Sequence, residues 1–419
     1  MPEIQTNNLV DHGQLKIQVT SRQRAVPIPN ATIEISYTGD PDSVLETVST
    51  DENGQTPAVD LPAPPVEYSM SPSENQPYSE YNLKIHSDEY KPVTISGAQI
   101  LSGVEGLQPV SMIPEETHTP TEEHPIVIGP HTLWGNYPPK IAESEIKPVN
   151  ESGEIVLSRV VIPEYIIVHD GPVGDKTAQN YYVRYKDYIK NVAACEIYST
   201  WPRATLEANI LAIMSFTLNR VYTEWYRNRG FDFTITSSTA YDQKWIEGKT
   251  VYESISRVVD EIFNAYLSRP DVVQPILTQY CDGKRVSCPN QMSQWGSKSL
   301  GDEGLSAEEI LQYYYGSDLY ISRAEQISGV PASWPGSVLS LGSSGEKVRQ
   351  MQEQLNVIAR DYPALPVIRV DGIYGEATGN AGRKFQKIFA LPVTGQVDFA
   401  TWYKISQIYV GVSRIAELT

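Results

Sequence analysis

The stretch Tyr188-Ile-Lys-Asn-Val-Ala-Ala-Cys-Glu196-Ile-Tyr-Ser-Thr-Trp-Pro202 sets a single carboxylate inside an apolar run, just before a helix break. Read as a helix, it puts Glu196 on a face with Val192 and Ala193, and with Ile189 further back. Taking a carboxyl out of water penalises its ionised form, so this setting predicts a raised pKa. A raised pKa is what a general acid needs near neutral pH. The competing reading is structural: Glu196 reaches solvent, or pairs with Lys190 or Arg203.

On either side of this stretch the periodicity is helical. Tyr185 to Ile197 reads as one helix, and Thr200-Trp-Pro202 offers a cap with proline near the first turn of the next. Leu206, Ile210, Ile213, Met214, Thr217, Leu218 and Val221 then predict a core helix over about 203–228. Val160 to Val168 reads as a long strand or strand pair, and helices are expected over 250–268 and 306–315. Together these bound a mixed α/β unit at 161–325.

N-terminal to it, Leu15-Lys-Ile-Gln-Val19, Ala31-Thr-Ile-Glu-Ile35 and Tyr81-Asn-Leu-Lys-Ile85 alternate apolar and polar residues. Turn clusters such as Tyr37-Thr-Gly-Asp-Pro41 and Asp51-Glu-Asn-Gly54 separate them, which predicts a small β-sandwich over 1–113. Residues 114–160, rich in Pro and Glu, read as an extended linker open to proteases. A second linker is expected at 326–337. Residues 338–419 form a third, compact helical unit: Val348, Met351, Leu355 and Ile358 line one helix, and Ala381, Phe385 and Ile388 line another. The chain is thus expected to be a multidomain α+β protein.

The 419 residues carry a net charge of −18, unevenly spread. Residues 1–159 hold 8 Lys or Arg against 23 Asp or Glu, whereas residues 160–419 hold 25 against 28. No segment offers the basic face of a nucleic-acid binder. No apolar run is long enough to span a membrane, and Met-Pro-Glu-Ile-Gln-Thr at the start does not read as a signal peptide. The three cysteines do not make a disulfide framework, although Cys281 and Cys288 could pair if oxidised. All six histidines lie at or before His169, so chemistry in the last 250 residues rests on carboxylates rather than on histidine triads or histidine-bound zinc. Neither a metal nor a cofactor is expected.

Three resemblances sharpen this reading. Ala31-Thr-Ile-Glu-Ile35 with Val48-Ser-Thr-Asp-Glu-Asn-Gly54 resembles prealbumin-like or carboxypeptidase-regulatory sandwich modules. Leu341-Gly-Ser-Ser-Gly345, Asp371-Gly-Ile-Tyr-Gly375, Leu391-Pro-Val-Thr-Gly395 and Ala400-Thr-Trp402 resemble the helical peptidoglycan-binding domain of wall hydrolases, which implies a glycan or stem-peptide ligand. The helix ending at Glu196, followed by Trp201-Pro202, together with Met292-Ser-Gln-Trp-Gly296 and Gly304 to Tyr314, resembles the stage II sporulation protein D family of lytic transglycosylases. That resemblance implies Glu196 as the catalytic acid. The family's histidine-containing run before Ser-Gln-Trp-Gly reads Ser287-Cys-Pro-Asn-Gln291 here, which puts any metal site in doubt.

With Thr132-Leu-Trp-Gly135 and Pro138-Pro-Lys-Ile141, the whole layout resembles the clostridial spore cortex-lytic enzymes. That implies a pro-enzyme deposited in the spore, activated by a subtilisin-like germination protease that cuts between 114 and 160, and acting on cortex peptidoglycan. Glu207 and Asp242 are rival carboxylates, expected on an outer helix face and in a polar loop. Tyr241, Gln243, Ser293, Gln294 and Trp295 are candidate sugar contacts, with Trp295 as a core anchor the alternative. The acidic N-terminal part is expected to oppose binding to anionic cortex through its charge or simply by covering the groove.

Overall fold

A computed structural model describes residues 11–22, 25–115, 125–147, 158–330 and 333–413. The first unit comprises β1 (Asp11–Ser21), β2 (Thr32–Tyr37), β3 (Asp40–Ser49), β4 (Val59–Ala63), α1 (Glu67–Met70), β5 (Ser79–Ser87), β6 (Tyr90–Ile100), β7 (Glu105–Met112) and β8 (Ile126–Val127). The expected period of two holds: Leu15, Ile17 and Val19 are buried, and Lys16 and Gln18 between them are not. One sheet runs β3-β2-β5-β6-β8. The other packs β7 parallel to β1 and β4 antiparallel to it. Their inner faces share one apolar core.

The middle unit begins with β9 (Val161–Ile162), β10 (Tyr165–His169), β11 (Asn180–Arg184), α2 (Tyr185–Glu196), α3 (Arg203–Tyr222), β12 (Ile235–Thr236) and β13 (Val251–Tyr252). It continues with α4 (Glu253–Ile262), β14 (Ala265–Ser268), β15 (Tyr280–Cys281), β16 (Met292–Ser293), α5 (Gln294–Asp302), α6 (Ala307–Tyr315), β17 (Tyr320–Arg323) and β18 (Gln326–Ile327). Pro163 splits the expected 160–168 strand into β9 and β10. α3 is apolar on nearly every side, as a helix at the centre of a unit must be. It stops at Tyr222 rather than near 228. Pro202 itself is its N-cap, without a side-chain bond, because the Thr200 hydroxyl pairs with Ser69 instead. The helix expected over 250–268 ends at Ile262. Ala265 and Leu267 then point inward from β14, which pairs with β17.

The described parts of both expected linkers are bonded to the middle unit. Residues 125–147 lie extended but bonded along the middle unit, and β18 pairs parallel with β9. The sandwich is not free-standing either, because β13 of the middle unit extends its sheet by pairing antiparallel with β7. Gln99 and Gln108 of the sandwich bond to Tyr252, Thr250 and Gly248 across that seam. Lys249 is buried there against Gln99, and burial pushes its pKa down to about 8.

The third unit is α7 (Glu346–Ile358), α8 (Glu376–Ile388) and α9 (Phe399–Ser413). Gln352 ties it together by bonding Asp371, Gly372, Ile373 and Thr378. α9 docks on α4 through Phe263, whose ring lies 5.2 Å from those of Phe399 and Tyr403. Beneath this contact, buried Asp260 bonds Lys186 at 2.9 Å and Lys190 at 2.7 Å. Burial alone would raise the Asp260 carboxyl, but Lys186, Lys190 and Lys404 together outweigh it and hold the group well below the usual range. Removing the carboxylate strands two buried ammonium groups. Asp260→Asn is therefore expected to cost about 3–5 kcal/mol in denaturant unfolding at neutral pH; a loss near zero would show that the lysines are independently solvated.

Candidate functional site

Glu196 is the last residue of α2 and only 3 % exposed. The partners offered by the structural reading are engaged elsewhere: Lys190 with Asp260, and Arg203 with Glu261. Its Oε1 accepts the Lys244 backbone N–H at 2.8 Å, and Oε2 lies 3.4 Å from the Gln294 amide nitrogen. Burial raises its pKa, and the opposing pull of Lys140, the Lys244 N–H and Gln294 does not cancel that. The C-terminal end of a helix adds a further penalty on negative charge. The expectation of a raised, buried carboxyl on this face therefore holds.

Glu196 opens into a small cleft whose walls include Tyr137, Lys140, Tyr280, Asp282, Arg285 and Gln294. Ser293 caps α5, its hydroxyl accepting the Gly296 N–H at 2.9 Å. A side chain at 296 would collide with the Tyr314 hydroxyl and with Ser293, so the motif requires glycine there. This turn aims Gln294 back at Glu196, where its amide also donates to the Glu196 backbone carbonyl at 3.0 Å. Gln294 is thus a positioning residue rather than an open sugar contact.

Two other candidates are corrected in the same way. Gln243 is fully buried, and its amide is bonded to Tyr188, Ile213, Thr217 and Tyr280. Trp295 is 5 % exposed and packs between Tyr198 and Trp201, so it is a core anchor. Tyr241 is half-buried, its backbone carbonyl accepting from Arg220, and it is not among the residues lining the cleft. Of the rival carboxylates, Asp242 does lie in a loop, between β12 and β13, but not an exposed one. It is fully buried and accepts from Arg220, Tyr226 and Thr236. Glu207 is half-buried on α3.

The sequence reading missed what covers the cleft. Residues 130–147 form a strap pinned on both flanks of Glu196: Thr132 N–H donates to the Cys195 carbonyl at 3.1 Å, and the His131 ring meets the Ile197 carbonyl at 3.2 Å. Further along, Lys140 donates to the Asp242 carbonyl and lies 4.7 Å from the Tyr280 ring centre. The strap is then clamped twice. Glu143 pairs bidentately with buried Arg220 at 2.6 and 3.0 Å, and Glu145 with Arg269 at 2.8 Å through both oxygens. Such planar, charge-assisted pairs fix geometry as well as adding energy.

On the opposite side, Arg285 bonds the Trp134 and Gly135 carbonyls. It sits on a loop closed by a Cys281–Cys288 disulfide, the pairing left open by spacing alone. Asp282 in this loop spends its carboxylate on the N–H groups of Lys284, Arg285 and Val286. The described residues bring together no group of three His, Cys, Asp or Glu side chains suited to a metal ion. No helix among them is long and apolar enough to cross a membrane.

Residues 344–405 match the family described as putative peptidoglycan binding domain, and cover most of the α7–α9 unit. The C-terminal unit is therefore a peptidoglycan-binding domain, which points to a cell-wall-associated protein. One curated relative, the zinc D-Ala-D-Ala carboxypeptidase of Streptomyces albus G, is 39% identical over 77 residues. That match covers 18% of this chain and only 28% of the relative's length. Solved structures are alike over somewhat larger shares of this chain, but at low scores. The Bacillus anthracis TIE protein is 15% identical over 25% of this chain and 17% of its own, with a TM-score of 0.17. Catechol 1,2-dioxygenase from Acinetobacter sp. ADP1 is 14% identical over 30% of this chain and 60% of its own, with a TM-score of 0.20. At such scores neither supports an argument.

The raised Glu196 pKa has a sign that stability can report. In the fold its ionised form is penalised, so its contribution is best at low pH and is lost as pH rises from the ordinary carboxyl value through the raised one. Glu196→Gln cannot ionise yet keeps an acceptor for the Lys244 N–H. Its melting temperature is expected to equal or exceed that of the native chain at pH 7, and the advantage to shrink toward pH 4. A variant less stable at pH 7 than at pH 4, relative to the native chain, would contradict this.

Proposed function

We propose that this protein is a lytic transglycosylase pro-enzyme that cleaves spore-cortex peptidoglycan during germination. The observation that carries the reading is a carboxyl with a raised pKa, buried at the end of a cleft, in a chain that ends in a peptidoglycan-binding domain. Protonated Glu196 donates its proton to the glycosidic oxygen between N-acetylmuramic acid and N-acetylglucosamine as the C1–O bond breaks. The resulting carboxylate takes the proton from the muramic 6-hydroxyl, whose oxygen closes onto C1 to give the 1,6-anhydro product. One carboxyl serves both steps, so the usual glycosidase pair is not required.

A hydrolytic muramidase is the second reading, favoured by one observation: Asp282 lines the same cleft. Mass spectrometry of digested peptidoglycan separates the two. Anhydro-muramic ends are expected, with Glu196→Gln inactive; reducing ends would favour the hydrolase. No cleavage by the native chain, cut or uncut, would leave a non-catalytic wall-binding protein.

In this reading the strap is the inhibitory part of the pro-region, and a germination protease relieves it. Strap residues wall the cleft that glycan must enter, which favours steric covering over repulsion between charges. The expected cut region includes 116–124 and 148–157, both outside the described residues. The strap lies between them, so the position of the cut matters. An engineered protease site within 148–157 is expected to give activity once the N-terminal fragment leaves. One within 116–124 leaves the strap attached to the middle unit and is expected to give little. Equal activation by both cuts, or full activity of the uncut chain in high salt, would count against the strap.

A further inference from the structure

Tyr280 is 2 % exposed and lines the cleft beside Glu196. Its hydroxyl oxygen lies 3.2 Å from the Gln243 amide nitrogen, and that nitrogen lies 3.1 Å from the Ile213 carbonyl. A backbone carbonyl only accepts, so the amide atom facing Ile213 is the nitrogen, and the orientation of Gln243 is fixed. Its two hydrogens then go to the Ile213 carbonyl and to the Tyr280 oxygen. The amide oxygen, on the other side, accepts from the Tyr188 and Thr217 hydroxyls. Tyr280 therefore accepts from Gln243 and sends its own hydrogen elsewhere. Among the described residues that hydrogen has no acceptor, although buried hydroxyls are as a rule satisfied.

One short segment ties this hydroxyl to Glu196. The Gln243 side chain holds Tyr280, and the next backbone N–H, from Lys244, donates to Glu196 Oε1 at 2.8 Å. The two groups face one cleft, yet no hydrogen bond joins them directly. Burial, and then the charge of Glu196, push the Tyr280 phenol well above its ordinary pKa. It keeps its proton at working pH and is a donor, not a base. In the covered form the ammonium of Lys140 on the strap stands 4.7 Å from the centre of the Tyr280 ring. Removing the strap uncovers that ring.

We propose that Tyr280 is a second catalytic residue, whose hydroxyl donates to the attacking 6-hydroxyl of the sugar while the Glu196 carboxylate takes that hydroxyl's proton. The proposal rests on the transglycosylase reading and assigns the choice of acceptor within it. The 6-oxygen has one hydrogen and two lone pairs. Its hydrogen passes to Glu196, one lone pair accepts from Tyr280, and the other forms the bond to C1. Glu196 ends protonated, and Tyr280 keeps its own proton throughout. A hydroxyl held from two sides closes on C1 before a passing water does, because its oxygen is already placed. Gln243, which turns the Tyr280 hydrogen away from the core, is a positioning residue.

The test counts anhydro and reducing ends by mass spectrometry after digestion of peptidoglycan with the full chain, cut within 148–157. Nearly all anhydro ends are expected from the native protein. Tyr280→Phe is expected to release product about tenfold more slowly or worse, with the ratio of reducing to anhydro ends raised about tenfold. That ratio does not depend on how much of a preparation is folded. Tyr188→Phe loses a bond to the far side of the same amide and is expected to keep the native ratio. Gln243→Glu has the same shape but turns an oxygen toward Tyr280, drawing its hydrogen into the core, so it carries the test should Tyr280→Phe not fold; the same rise is expected. An unchanged ratio in Tyr280→Phe or Gln243→Glu, an equal rise in Tyr188→Phe, or no product from folded Tyr280→Phe overturns the proposal and leaves the transglycosylase reading standing. Reducing ends alone, or no product, from the native protein overturns both.

Discussion

A carboxyl at the C-terminal end of a helix, out of water, is disfavoured by desolvation and by the helix dipole alike. Much of the middle unit serves to hold Glu196 there. α3 supplies an apolar wall, the Met292–Gly296 turn aims an amide at one oxygen, and the 244 peptide supplies an N–H to the other. These contacts orient the group without a full counter-charge, so the carboxyl stays raised rather than becoming a buried salt bridge. Where the unit needs a fixed charge it behaves differently: Asp242 receives Arg220 and three further donors. Two carboxylates close in the fold thus have opposite environments, one desolvated without a full counter-charge and one fully paired.

Arg220 connects the scaffold to the strap. Its Nε bonds Asp242 inside the unit, while its terminal nitrogens hold Glu143 of the strap. Because the guanidinium is already oriented by a buried partner, little freedom is lost when Glu143 binds. These pairs add to an apolar anchor: Leu133 of the strap is buried in the core of the middle unit, with Trp134 packed against it.

This explains which parts were legible in the sequence. α2 was readable to within a residue because its apolar spacing is continuous, and the sandwich strands because they alternate faces. The strap was not, since it depends on partners far away in the chain: Glu143 meets Arg220 across 77 residues. The disulfide joins cysteines only seven residues apart, but spacing alone left the pairing open. Gln243 and Trp295 misled for a related reason. An amide near a motif and an indole inside one look like ligand contacts, but Gln243 is consumed by four core partners and Trp295 by two neighbouring rings. The 263–268 segment was misread because Ala265 and Leu267 fit either period over so short a run.

The seam between sandwich and middle unit combines several kinds of contact. Strand β13 pairs with β7, the Gln108 amide and the Gln99 carbonyl bond across it, and Tyr78 and Leu101 of the sandwich join the apolar core of the middle unit. It also buries Lys249, whose ammonium is disfavoured there, as its depressed pKa records. At neutral pH that lysine is charged in either state, so docking carries a standing desolvation cost that separation relieves. The Glu80 carboxylate of the sandwich acts in the opposite direction on Lys249, so its charge offsets part of that cost across the seam.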